Sequence, residues 1–133
     1  MKRSKIRCPQ CGAQAVLRPS SVVYHERARP DEYLYVCARY PQCDSYVSAH
    51  KKTLLPMGTL ANAALRRKRI LAHRAFNRLW EDGPMEKWQA YKWMQAKFSL
   101  RSDQAHIAMM SEYMCEQLIA VCDQAVSNMN RAA

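Results

Sequence analysis

Cys8-Pro9-Gln10-Cys11-Gly12 and, further along, Cys37-Ala38-Arg39-Tyr40-Pro41-Gln42-Cys43 are the two stretches on which the fold turns. Two close cysteine pairs separated by a loop bring four thiolates to one point. The ion that suits such a set is zinc, a tetrahedral d¹⁰ cation held by sulfurs contributed two at a time from tight turns. Pro9 fixes the backbone inside the first turn, and Gly12 permits the positive φ that lets backbone amides face the sulfurs. Disulfides are the competing use of four cysteines. The charged start Met1-Lys2-Arg3-Ser4-Lys5-Ile6-Arg7 has no apolar segment after it and carries no export signal. A reducing, cytoplasmic setting in a bacterial host therefore makes one structural zinc on Cys8, Cys11, Cys37 and Cys43 the expectation. His25 and His50 stay open as substitute ligands, although four cysteines already complete the shell.

The chain has 133 residues, enough for one ordinary domain or two small ones. The pattern places a zinc ribbon with a basic N-terminal arm at residues 1–52. A helical domain beginning with an arginine-rich helix follows at 53–133, which makes the fold class α+β: a small antiparallel four-cysteine ribbon and three to four helices. The net charge of +10 is unevenly spread. Residues 1–80 hold sixteen Lys and Arg against four Asp and Glu, whereas residues 81–133 hold five against seven. A basic part joined to a slightly acidic one reads as a polyanion-facing surface backed by a structural or partner-facing one. No apolar run approaches the roughly 20 residues that span a bilayer.

After Gly12 the runs Ala15-Val16-Leu17, Val22-Val23-Tyr24 and Tyr33-Leu34-Tyr35-Val36 are rich in strand formers and are separated by turn residues. Ser45-Tyr46-Val47-Ser48 is a candidate fourth strand. From Gly58 the apolar period lengthens toward 3.6, which predicts a helix capped by Thr59 and running through Leu60, Ala61, Leu65, Ala72, Phe76 and Leu79 to about Trp80. Its other faces carry Arg66, Arg67, Lys68, Arg69, Arg74 and Arg78. Gly83-Pro84 closes it and opens a second helix, with Pro84 at the first position and Trp88, Tyr91, Met94 and Phe98 along an apolar side expected to be core. Ser102 is a candidate cap for a short helical piece around 103–109, and Ser111 for a last helix to about Asn128. Cys115 and Cys122 lie on that helix's apolar stripe and read as buried small hydrophobes.

The stretch Tyr35 to Cys43, taken with Cys8-Pro9-Gln10-Cys11-Gly12, resembles the four-cysteine zinc ribbons at the C-terminal end of type IA DNA topoisomerases. The Tyr40-Pro41 inside the second pair carries the likeness, which implies binding of single-stranded DNA; no topoisomerase catalytic domain accompanies it. A wider set looks like a zinc-finger-containing family common in phages and prophages. It includes Cys43 to Val47, His50, Thr53, Pro56 to Ala61, Leu65-Arg66, Arg69, Ala72-His73, Phe76 to Trp80, Trp93-Met94 and His106-Ile107. That resemblance implies the architecture and a mobile-element origin. Ala49 and Ala108 stand where the family pattern has glycine.

Binding of nucleic acid needs cations for phosphates and flat side chains for bases. The candidate contacts are Lys2, Arg3, Lys5, Arg7, Arg39, Tyr40, Lys51, Lys52, Arg66, Arg67, Arg69 and Arg74. Tyr33, Tyr35 and Tyr46 are further stacking candidates; alternation puts Tyr33 and Tyr35 on one face, so both are expected exposed or both buried. The run Arg66 to Arg69 suits phosphates more than base edges, so little sequence preference is expected. Catalysis is not expected: carboxylates are few before residue 80, no His-x-Glu accompanies the cysteines, and a four-thiolate zinc has no open position. The alternative from another class is a phage-encoded regulator or inhibitor that binds a host protein, using the ribbon or the helical domain with its many methionines.

Overall fold

Runs of strand-forming residues on either side of the second cysteine loop build a three-stranded antiparallel sheet. The computed structural model describes residues 6–132, and the chain forms two compact units, Met1–Ala64 and Leu65–Ala133. In the first unit, β1 (Ala15–Pro19), β2 (Tyr33–Cys37) and β3 (Tyr46–Ser48) lie in the order β1-β2-β3. The β1–β2 register runs from Ala15 opposite Cys37 to Pro19 opposite Tyr33, and β2 pairs β3 from Leu34 opposite Ser48 to Val36 opposite Tyr46. The sheet thus delivers Cys37 beside the chain that leaves the first cysteine turn. As the central strand, β2 buries Leu34, Tyr35, Val36 and Cys37 in succession, so both of its faces are covered.

Three local expectations are corrected here. Val22-Val23-Tyr24 is not a strand but lies in the single helical turn α1 (Ser21–Tyr24), followed by a 3-10 turn at His25–Arg27. The reason is register: Pro19 pairs directly with Tyr33, so residues 20–32 form the connection, closed by Ser20 N donating to Glu32 O at 2.8 Å. The helix does not begin at Thr59. Ala61 exchanges both backbone hydrogen bonds with Tyr46, at 3.0 and 3.1 Å, which keeps Leu60 and Ala61 extended. Leu60 instead fills the first core with Cys8, Tyr35, Cys37 and Ala49, against which Ile6, Leu17 and Val47 pack. Tyr33 and Tyr35 also part company, being 37 % and 3 % exposed.

The helix of the arginine run is α2 (Ala63–Glu81), which turns Leu65, Arg69, Ala72, Ala75, Phe76 and Leu79 inward at three- and four-residue spacing. Next come α3 (Lys87–Phe98), a 3-10 turn at Ile107–Met109 where a short helical piece was expected, and α4 (Glu112–Ala132). Gly83 passes so close to Leu79 that an added Cβ would sit 2.5 Å from its carbonyl oxygen. The second helix starts at Lys87, not at Pro84, where Gln89 Oε1 accepts the Glu86 amide at 2.8 Å. This helix buries Ala90 and Met94, and Tyr91 meets Phe76 edge-on with ring centroids 5.0 Å apart. Trp88, expected in the core, is 65 % exposed. Ser111 does cap α4, its Oγ accepting the Met114 amide at 3.2 Å. Cys115, Leu118 and Cys122 form the buried stripe of α4, as small apolar groups.

Candidate metal centre and basic surface

The first cysteine turn is a tight hairpin. Arg7 pairs with Gln14, the Cys8 amide donates to Ala13 O at 2.7 Å, and the Gly12 amide donates to Cys8 O at 2.8 Å. Gly12 has φ +78°, the left-handed conformation expected from its place after the second cysteine. The second turn leaves β2 at Cys37, with the Tyr40 amide donating to Cys37 O at 2.9 Å and the Cys43 amide to Arg39 O at 3.1 Å. Its ends are tied by the Cys37 amide donating to Ser45 O at 3.0 Å. Both loops therefore bend their cysteines toward one point.

At that point the four sulfurs lie within 4.8 Å of one another. Cys8 Sγ is 3.6 Å from Cys43 Sγ, and Cys11 Sγ is 3.4 Å from Cys37 Sγ; all four are free thiols. A tetrahedron with Zn–S bonds of about 2.3 Å has edges of about 3.8 Å, so the sulfurs already stand close to their coordinating positions. Cys8, Cys11, Cys37 and Cys43 form a single zinc site. Burial, foremost, pushes the Cys37 thiol up to about 12, and the hydrogen bonds from Cys11 and Cys43 add to the rise while the Arg39 amide opposes it. A thiol so disposed keeps its proton until the metal displaces it. His25 and His50 are both exposed and stand outside the cluster.

Around the sulfurs lies a polar layer that the cysteine spacing did not reveal. Buried Ser45 places its Oγ 3.3 Å from Cys43 Sγ. Asp44 Oδ2 accepts the Ala63 amide at 3.2 Å, satisfying a free donor at the start of α2, and Asn62 Nδ2 donates to Gln10 Oε1 at 3.3 Å. Residues from both cysteine turns thus hold the segment entering α2. Asp44 with Ala63 and Gln10 with Asn62 are far apart in sequence and carry no local signature, so only the folded chain brings them into view.

Cations expected to meet nucleic acid fall into separate groups. Lys2, Arg3 and Lys5 lie outside the described residues. Arg7, Arg39, Lys51 and Lys52 are exposed on the first unit, and Tyr40 is half-buried in the second cysteine turn. On α2, Arg67 and Arg74 are exposed and Arg66 is half-buried. Arg69 is corrected: at 8 % exposure it points inward, its Nε and Nη2 donating to Met110 O at 3.1 and 2.9 Å. The carbonyl before α4 has a cation as its partner, and burial lowers the pKa of that guanidinium. Lys68 Nζ meets Glu116 at 2.9 Å and Arg78 meets Asp123 at 3.4 Å, so these two are engaged with acids of α4. Among the tyrosines, Tyr46 packs edge-on against Tyr24 with centroids 5.9 Å apart.

Compared with known protein families, a model described as a zinc-finger-containing domain matches residues 4–125. The chain belongs to this family. In this zinc-finger-containing domain the match takes in both cysteine pairs and most of the helices, so the metal centre and the helical part are one family unit. No curated protein and no solved structure matches the chain. Among the described residues, no helix is long and apolar enough to cross a membrane.

Proposed function

We propose that this zinc-finger-containing domain binds nucleic acid without catalysing a reaction, with low sequence specificity and a preference for single-stranded DNA, and that it serves a phage or prophage. The observation that carries this reading is the exposed basic character of the zinc-held unit. Residues 1–64 contain ten Lys and Arg against four Asp and Glu, and one of the four, Asp44, is committed to the start of α2. Arg7, Arg18, Arg27, Arg29, Arg39, Lys51 and Lys52 all stay on the surface. Tyr33 and Tyr40 keep accessible rings among them, and cations interleaved with flat side chains suit a flexible phosphate backbone with splayed bases. Arg67 and Arg74 add a second basic surface on α2.

A salt titration of binding to single-stranded and duplex DNA tests this, with zinc-loaded protein and the Cys37→Ser variant side by side. Affinity should fall steeply with salt, be higher for the single strand, and be lost with the zinc. Absence of binding to either form at low salt would rule the reading out. A second reading, a regulator that docks on a host protein, draws on Trp88, Met109 and Tyr113, large apolar side chains exposed on the less basic unit. Binding that withstands salt and is lost on truncating these three would favour it.

A further inference from the structure

The loop His50–Leu55 is held more firmly than a surface turn requires. Its ends are joined by the His50 amide donating to Leu55 O at 2.8 Å and the Leu54 amide to His50 O at 2.9 Å. Thr53 Oγ1 accepts the Leu55 amide at 3.2 Å. Leu54 has φ +58°, a left-handed conformation that a residue with a branched side chain rarely adopts. What holds it is Tyr35: the ring is buried in the centre of β2, and its hydroxyl donates to the Leu54 carbonyl. The consequence is a loop whose tip, Lys51-Lys52-Thr53, is exposed while its base is fastened to the sheet. His50, Lys51, Lys52, Thr53 and Leu55 line a shallow cleft of about 430 Å³.

Tyr33 stands beside it. Tyr33 and Tyr35 share a face of β2 by the pleat, and the loop covers Tyr35. Tyr33 is left at the margin, its carbonyl accepting the amide of Ala49, the residue before the loop, at 3.0 Å. Two lysines on a pinned tip and an accessible ring on the adjoining strand end make a set for one ligand chemistry, a phosphodiester strand with an unpaired base. Holding the tip in place before binding lowers the ordering cost that mobile lysines would incur.

We infer that the loop His50–Leu55 is a preformed backbone site for a single-stranded polynucleotide: Lys51 and Lys52 take phosphates, Tyr33 takes a base, and the Tyr35 hydroxyl is the positioning group. This rests on the nucleic-acid reading above and assigns that binding to a particular loop.

The test is anisotropy of a labelled oligothymidine titrated with the zinc-loaded full chain over a salt series. The variants are Lys51→Ala/Lys52→Ala, Tyr35→Phe, and all three together, with zinc content and thermal melting followed for each. Loss of two phosphate contacts should make the log–log salt slope shallower by about 1.4, at about 0.7 per contact on a single strand. Tyr35→Phe should weaken binding several-fold in the parent chain and have no further effect once both lysines are gone, whereas a purely structural tyrosine would cost the same in both backgrounds. An unchanged slope in the double lysine variant overturns the loop assignment while leaving nucleic-acid binding elsewhere intact, and it does so even if Tyr35→Phe fails to fold. No binding by the parent chain overturns both. Inorganic phosphate at matched ionic strength should compete no better than chloride; loop-dependent displacement by phosphate would make the site one for free anions.

Discussion

Arg69 and Cys37 show how much a single side chain's setting decides. Arg69 belongs by composition to the cationic run of α2, yet its guanidinium is spent on the Met110 carbonyl. Arg69→Ala strands that carbonyl and should lower the stability of the helical unit by about 1–3 kcal/mol in urea unfolding. It should leave the salt slope of DNA binding unchanged, whereas Arg67→Ala with Arg74→Ala should flatten it. Cys37→Ser removes one of four sulfurs and should abolish stoichiometric zinc, read by metal analysis and by the loss of thiolate–cobalt absorption in a cobalt-substituted sample. Cys122 lies outside the sulfur cluster and stays a buried thiol. Burial pushes its thiol up to about 12 from an ordinary value of 9.0. The folded state therefore favours the protonated thiol, a contribution intact below pH 9 and lost as pH rises toward 12. Stability measured by urea midpoint should fall across that window, and Cys122→Ala should show a smaller fall.

At the scale of elements, caps and register separate what periodicity shows from what it misses. Ser111 caps α4 from the sequence position that its chemistry suggests, because the donor it satisfies is only three residues away. The first amide of α2 is met by Asp44, nineteen residues before Ala63, and the helix starts after Thr59 because Leu60 and Ala61 are held extended along β3. Asp44→Ala should cost about 0.5–2 kcal/mol with zinc still bound at full stoichiometry. Loss of zinc in Asp44→Ala would show that the aspartate instead supports the metal turn. Trp88 was expected inside because it shares a side of α3 with Tyr91 and Met94; burial of Ala90 and Met94 leaves Trp88 on the margin of that face, in solvent.

At the scale of the molecule, the metal is the largest single contribution to the first unit, whose core is small and includes Cys8 and Cys37 themselves. Zinc binding in small finger peptides is worth about 10–16 kcal/mol apparent, as much as the whole stability of an ordinary domain, about 5–15 kcal/mol. A chelator should therefore abolish the strand signal and release Tyr35 to solvent while the helical circular dichroism largely persists; simultaneous loss of both would show that the helices depend on the ribbon. The amino-acid sequence by itself determined the zinc ligands, the left-handed Gly12, the α+β order of elements and the basic bias of the first eighty residues. Each of these rests on spacing, composition or a conformational preference confined to a few neighbouring residues. Only the tertiary structure decided that Val22–Tyr24 turns instead of extending, that Tyr35 is buried while Tyr33 is not, that Arg69 faces inward and that Asp44 caps α2. Those outcomes depend on strand register and on partners tens of residues away, where burial and hydrogen-bond satisfaction outweigh local propensity.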